Sequence, residues 1–227
     1  MILLFLVAVY YLTESIIVVA AFTAVIIFVF VKDALFYNDK PLLYLDKEVD
    51  MQAYQTYLDQ ELPSRKQKYY PLYKAYALVY KGAFDEAQST YDRFDQSIKV
   101  KEKNLYRIKT VIEMQLYYHR SNTEKLEALL SSVKASKLGS FELINSIKVY
   151  QLLLQENYEE AVDILMVIIP RLRSRVQIAE MEYYLAFCFY QLNRFDDANA
   201  ITDFMLEKDY EVIYTELFRK LKDKNNI

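Results

Sequence analysis

A six-residue pattern recurs along this chain at a spacing that paired helices satisfy and sheets do not. Gly82-Ala-Phe84-Asp-Glu-Ala87 has clear counterparts in Glu156-Asn-Tyr158-Glu-Glu-Ala161 and Asn193-Arg-Phe195-Asp-Asp-Ala198, and a weak one in Ser121-Asn-Thr123-Glu-Lys-Leu126. From Ala87 the copies step by 39, 35 and 37 residues. Each lies between two stretches of helical apolar spacing. Within the pattern an aromatic ring fills a joint between two helices. Acids follow where a second helix begins and favour its dipole, and a small residue lets the two helices approach closely. A repeat slightly above 34 residues is the length of a helix–turn–helix unit that stacks on its neighbours. With two glycines and four prolines in 227 residues, long helices with short connections are expected throughout.

These residues resemble the tetratricopeptide repeat, whose turn has the form Gly-x-Tyr-x-Glu-Ala. The resemblance covers residues 68–211 in four copies. On the first helices, Ala75, Met114, Val149 and Ala186 take the family's small position, and Leu78, Tyr117, Leu152 and Phe189 its larger packing position. On the second helices, Tyr91, Leu130, Leu165 and Thr202 align, as do Phe94, Val133, Ile168 and Met205. The family's early tryptophan is absent from every copy. Its closing proline is missing too, with Pro170 a little early for that role. Residues 46–62 have the spacing of one more helix, ending before Pro63, and residues 210–221 read as a capping helix over the last apolar face. The expected fold is therefore all-α, a tetratricopeptide-like hairpin solenoid behind an N-terminal transmembrane helix. Its parts are a membrane anchor at 1–31, a juxtamembrane linker and helix at 32–67, four degenerate repeats at 68–211, and a capping helix and tail at 212–227.

The resemblance implies a concave groove, lined by the first helices, in which protein partners lie. Its aromatic positions are Tyr69, Tyr73, Tyr76, Tyr118, Tyr150, Tyr183, Tyr184, Phe187 and Tyr190, interleaved with Leu72, Val111, Ile112, Gln115, Leu143 and Ile147. Tyrosine offers a large contact area with few rotamers to freeze and a hydroxyl for polar contacts. The chain's twenty-two tyrosines and no tryptophan fit such a groove. They equally fit ordinary packing between repeats in a chain from an AT-rich bacterial genome. The family's carboxylate clamp of Lys, Asn and Arg is absent from these places, so an acidic C-terminal tail is not an expected ligand.

The first thirty-one residues carry no basic residue and one acid, Glu14. At about 1.5 Å rise per residue they are long enough to cross a hydrocarbon core of about 30 Å. A signal peptide would need a basic start, a shorter apolar stretch and a small-x-small cleavage site. Lys32, Lys40 and Lys47 follow the stretch and nothing basic precedes it, which places the rest of the chain in the cytosol. Thr13-Glu14-Ser15 could instead break the stretch into a short re-entrant piece and a main helix at 16–31. Glu14 is read as reaching the outer interface, with an intramembrane function as the alternative.

Catalytic chemistry is not expected. Two glycines make no phosphate-cradling loop. The lone His119 has no partner at metal-ligand spacing, and the paired acids recur at helix starts, where the dipole explains them. Neither a metal nor a cofactor is expected. Cys188, alone in an apolar setting, reads as a buried thiol in a reducing compartment. The net charge of −3 argues against nucleic acid as a partner. Arg171, Arg173 and Arg175 read as a solvated connection, or as a contact with anionic lipid headgroups. The expected function is that of an adaptor or assembly factor at the cell membrane. The alternative is a regulatory or chaperone-like subunit of a membrane enzyme or transporter, interacting through the span.

Overall fold

In the computed structural model, which describes residues 43–225 apart from 96, 99 and 211, the recurring pattern begins at four residues with left-handed backbone. These are Gly82 (φ 75°), Ser121 (φ 51°), Glu156 (φ 56°) and Asn193 (φ 58°). Each closes a helix in the same way. The Gly82 amide donates to the Val79 carbonyl and the Ala83 amide to that of Leu78. Ser121 and Asn122, Glu156 and Asn157, and Asn193 and Arg194 repeat the pair. This arrangement satisfies carbonyls that a helix end would leave unpaired. Only glycine enters it without steric cost, so three of the four turns carry a backbone strain that the first does not.

The turns define four helical hairpins: α2 (Tyr70–Tyr80) with α3 (Phe84–Tyr91), α4 (Lys103–His119) with α5 (Thr123–Ala135), α6 (Phe141–Leu154) with α7 (Tyr158–Ile168), and α8 (Arg175–Gln191) with α9 (Phe195–Leu206). A short α1 (Met51–Thr56) precedes them and α10 (Ile213–Asn225) follows. All regular structure among the described residues is helical. Asn122 and Asn157 cap α5 and α7 with their side chains, and Ser140 and Ser174 cap α6 and α8. Each such side chain satisfies an otherwise unpaired amide. At the hairpin crossings Ala87, Leu126, Ala161 and Ala198 are buried completely, as are Ala75, Met114, Val149 and Ala186 on the facing helices. The turn aromatics meet rings of neighbouring helices: Phe84 stacks on His119 at 4.1 Å, Tyr158 meets Phe187 at 5.9 Å, and Phe195, itself left exposed, meets Tyr190 at 5.6 Å.

Residues 43–62 differ from the single helix expected at 46–62. A π-type turn at Leu43–Glu48 stops at Val49, whose φ is 56°. Asp50 restarts the chain as α1 by accepting from the Ala53 amide at 2.7 Å. A second π-type turn, Tyr57–Glu61, ends at an extended Leu62, the conformation that Pro63 imposes on the residue before it. The C-terminal helix starts at Ile213 rather than at 210, where the Thr215 hydroxyl donates to the Tyr210 carbonyl at 2.6 Å.

Residues Pro41–Ile227 form one compact unit with its own core. In it α2, α4, α6, α8 and α10 pack inside, and the last of them returns to the first. The rings of Tyr80 and Tyr214 lie 6.3 Å apart. A Cβ on Gly82 would sit 2.8 Å from the Cδ1 of Ile213. The expected membrane span at 1–31 lies outside the described residues. No described helix is long and apolar enough to cross a bilayer.

Candidate functional site

The inner helices converge on one carboxylate. Glu180, on α8, is completely buried. The Tyr80 hydroxyl from α2 donates to its Oε2 at 3.0 Å, and the Gln115 amide from α4 donates to Oε1 at 2.8 Å. The Tyr150 hydroxyl from α6 donates to the same oxygen. Tyr214 of α10 donates to Gln115 Oε1 at 3.4 Å, behind the carboxylate. No described cation forms an ion pair with Glu180. Burial, the dominant influence, raises its pKa from 4.5 to about 7 against the lowering effect of the hydroxyl and amide donors. Burial also pushes Tyr80, Tyr150 and Tyr214 well above the usual phenol range, so all three remain protonated donors.

A second polar centre ties residues 43–50 to the hairpins. The Asp46 carboxylate pairs with the Arg107 guanidinium of α4. It also accepts from the Tyr76 hydroxyl of α2 at 3.0 Å and from the Ser174 hydroxyl, at the start of α8, at 2.8 Å. Arg107 further donates to Gln177 Oε1 at 3.0 Å. Burial works against the Arg107 charge, but Tyr76 and Asp46 outweigh it and hold the group firmly protonated. Four separate parts of the chain meet in this network, each satisfying a buried group of another.

The candidate groove residues divide into two sets. Tyr73, Tyr76, Tyr150 and Tyr184 are buried, with Leu72, Val111, Ile112, Gln115, Leu143 and Ile147 around them. In this conformation their rings form the interior of the helical ring. Tyr69, Tyr118, Tyr183, Phe187 and Tyr190 are half-buried. Three of this second set, with Tyr158 of α7, form a connected strip. Tyr118 lies 5.7 Å from Tyr184, which lies 5.3 Å from Tyr183. Tyr183 stacks toward Phe187 at 6.3 Å, and Phe187 meets Tyr158 at 5.9 Å. The strip crosses α4, α7 and α8 and leaves aromatic rings, three of them with hydroxyls, partly exposed, a surface suited to an apolar chain with some hydrogen-bonding capacity.

Cys188 is buried and free, and burial pushes its thiol up to about 12, which makes it a packing residue rather than a nucleophile. His119 lies flat on Phe84. Among the described residues no three His, Cys, Asp or Glu side chains converge as a metal site would require. Arg171, Arg173 and Arg175 are all exposed. Neither Glu180 nor Asp46 was among the residues singled out from sequence. No family model matches the chain, and no curated protein or solved structure is similar enough to count as a match.

Proposed function

We propose that this chain is a membrane-anchored protein-interaction module. Residues 1–31 hold it in the bilayer, the hairpins form a tetratricopeptide-like array on the cytosolic side, and a partner chain lies along the strip of Tyr118, Tyr158, Tyr183 and Phe187. The observation that carries this reading is the strip itself. Where the array uses tyrosine for its own interior it buries the ring, as at Tyr76 and Tyr150. The strip is aromatic, is joined from Tyr118 to Tyr183 through the buried Tyr184, and leaves its own four rings only half-buried. Such rings anchor interfaces at low entropic cost and commonly contribute about 2 kcal/mol or more each. The anchoring half of the reading comes from the apolar 1–31 stretch and the lysines that follow it.

A photo-crosslinking amino acid at position 187 of the full chain, activated in intact cells, tests the strip. A discrete crosslinked protein, lost when Tyr183→Ala is added at a temperature where both proteins remain folded, supports the reading. A chain that crosslinks to nothing from 187 yet retains a co-purifying partner after Tyr183→Ala removes the strip as the binding surface.

A further inference from the structure

The chain is acidic overall, yet residues 164–179 hold three arginines and no acid. The structure brings apolar side chains to the same place. Val167 stands four residues before Arg171 on the helical run that α7 continues as a 3-10 turn, Ile169–Arg171, and residues so spaced share a helix face. The Arg171 guanidinium lies 4.7 Å above the Phe141 ring. Phe141 is 47% exposed, Met166 57% and Val167 47%, so three of the five large hydrophobic side chains exposed among the described residues lie under Arg171 or on the last turn of α7. Arg171, Arg173 and Arg175 are exposed, and none forms an ion pair with a described residue, whereas Arg107, Arg194 and Arg219 do.

The turn is held rather than loose. Ser174, between two of the arginines, is buried, caps α8, and donates to Asp46. Asp46, which Ser174 reaches from between the arginines, is already engaged by Tyr76 and Arg107 as well. Asp46 also lies early in the described chain, just after the apolar stretch. Only nine residues, 32–40, separate that stretch in sequence from the compact unit that begins at Pro41.

We infer that Arg171, Arg173 and Arg175, with Phe141, Met166 and Val167 among them, form a face that docks on an anionic lipid surface. The assignment rests on the reading of the chain as membrane-anchored, and adds which side of the helical unit meets the headgroups. Guanidinium groups pair with lipid phosphates. Phe141, Met166 and Val167 supply the apolar side chains that an interfacial surface inserts among the acyl chains. Nucleic acid has the same phosphate chemistry but would leave the three apolar side chains without a role. An acidic protein would meet the arginines but gain nothing from the tether.

Co-sedimentation of residues 41–227, the compact unit without the apolar stretch, tests this independently of the anchor. Vesicles would be of phosphatidylcholine alone or with one third phosphatidylglycerol, at about 0.1 M salt. Binding to the anionic vesicles only, weakened by added salt, is expected. Each arginine near such a surface contributes roughly a fivefold gain in affinity, so R171E/R173E/R175E should lose at least about a hundredfold. F141S/M166S should weaken binding with an unchanged far-UV spectrum. Failure to sediment with anionic vesicles, equal binding to neutral ones, or a triple variant that binds like the parent would each overturn the assignment. So would a unit that ignores both vesicles yet binds polyglutamate through the same arginines. An intact anchor with any of these outcomes would leave the membrane reading standing and remove only this face.

Discussion

The Tyr80 hydroxyl donates to Glu180 Oε2 at 3.0 Å, joining the first hairpin to the fourth across 100 residues of chain. Gln115 and Tyr150 reach the other oxygen from the two hairpins between. One carboxylate is thus touched from every inner hairpin helix, while Tyr214 of α10 stands behind Gln115. Its partners are neutral donors, and its burial is complete. Such a group is well hydrogen-bonded yet poorly placed to carry a charge.

Glu180 should therefore make stability fall as pH rises. Its pKa is raised by burial from 4.5 to about 7, so the folded state holds the proton more tightly than the unfolded chain does. The contribution is fully present below about pH 4.5 and is lost as pH climbs to and past 7. A rise of that size corresponds to roughly 3 kcal/mol at most. Urea unfolding of residues 41–227 at pH 5 and pH 8 should show this loss, and Glu180→Gln should flatten it, gaining on the parent at pH 8. Parallel pH dependences in the two proteins would show that Glu180 does not titrate in this range.

The Asp46–Arg107 pair gives a second test. The Arg107 side chain is about a quarter exposed and that of Asp46 less, so removing one partner leaves a mostly buried charge. Asp46→Ala should cost roughly 2–4 kcal/mol, tempered by that partial exposure. Adding Arg107→Met should recover part of the loss, because the pair's absence is cheaper than a lone cation. A double variant whose loss equals the sum of the singles would show that the two side chains are not coupled.

The turns make the backbone argument measurable. Gly82→Ala would place a Cβ 2.8 Å from the Ile213 side chain in a left-handed residue, and should cost about 1–2 kcal/mol. Glu156→Gly relieves the same conformation and should leave stability unchanged or raise it by up to about 1 kcal/mol, since glycine also loosens the unfolded chain. Thermal melts should place Gly82→Ala below the parent and Glu156→Gly level with it or above it. A Gly82→Ala protein that melts with the parent would contradict the left-handed assignment.

The hairpins were legible because their determinants are local. Each copy of the six-residue pattern begins at a left-handed residue, and the aligned positions Ala75, Met114, Val149 and Ala186 are all buried. The closure of the ring was not legible, because it depends on contacts over long sequence separations. Glu180 stands at the repeat position held by Tyr69, Ile108 and Leu143 in the other copies. An acid among apolar counterparts was a visible anomaly, but its donors come from three other hairpins and only the folded ring brings them together. Asp46 was hidden for a related reason. It lies outside the repeats, so no register predicts that it will meet Arg107 and Ser174. The same closure buries Tyr73, Tyr76 and Tyr150, positions that a periodic reading places on an open concave face.

The aromatic residues now separate into two roles that one pair of substitutions distinguishes. Tyr76 is fully buried, edge-on to Tyr80 at 5.1 Å and bonded to Asp46. Tyr76→Ala should therefore remove packing and a hydrogen bond together, costing about 3–5 kcal/mol. Tyr183 is half-buried, against Tyr214 at 5.8 Å and Phe218 at 5.6 Å. Tyr183→Ala should cost less, roughly 1–2 kcal/mol, since part of the ring already meets solvent. It should also weaken a partner's hold by more than Tyr76→Ala does once both variants are compared below their melting points. Denaturation and partner retention measured on the same preparations decide the matter. Equal destabilisation by the two substitutions, with no difference in partner retention, would place Tyr183 with the interior rings and leave the strip without its central anchor.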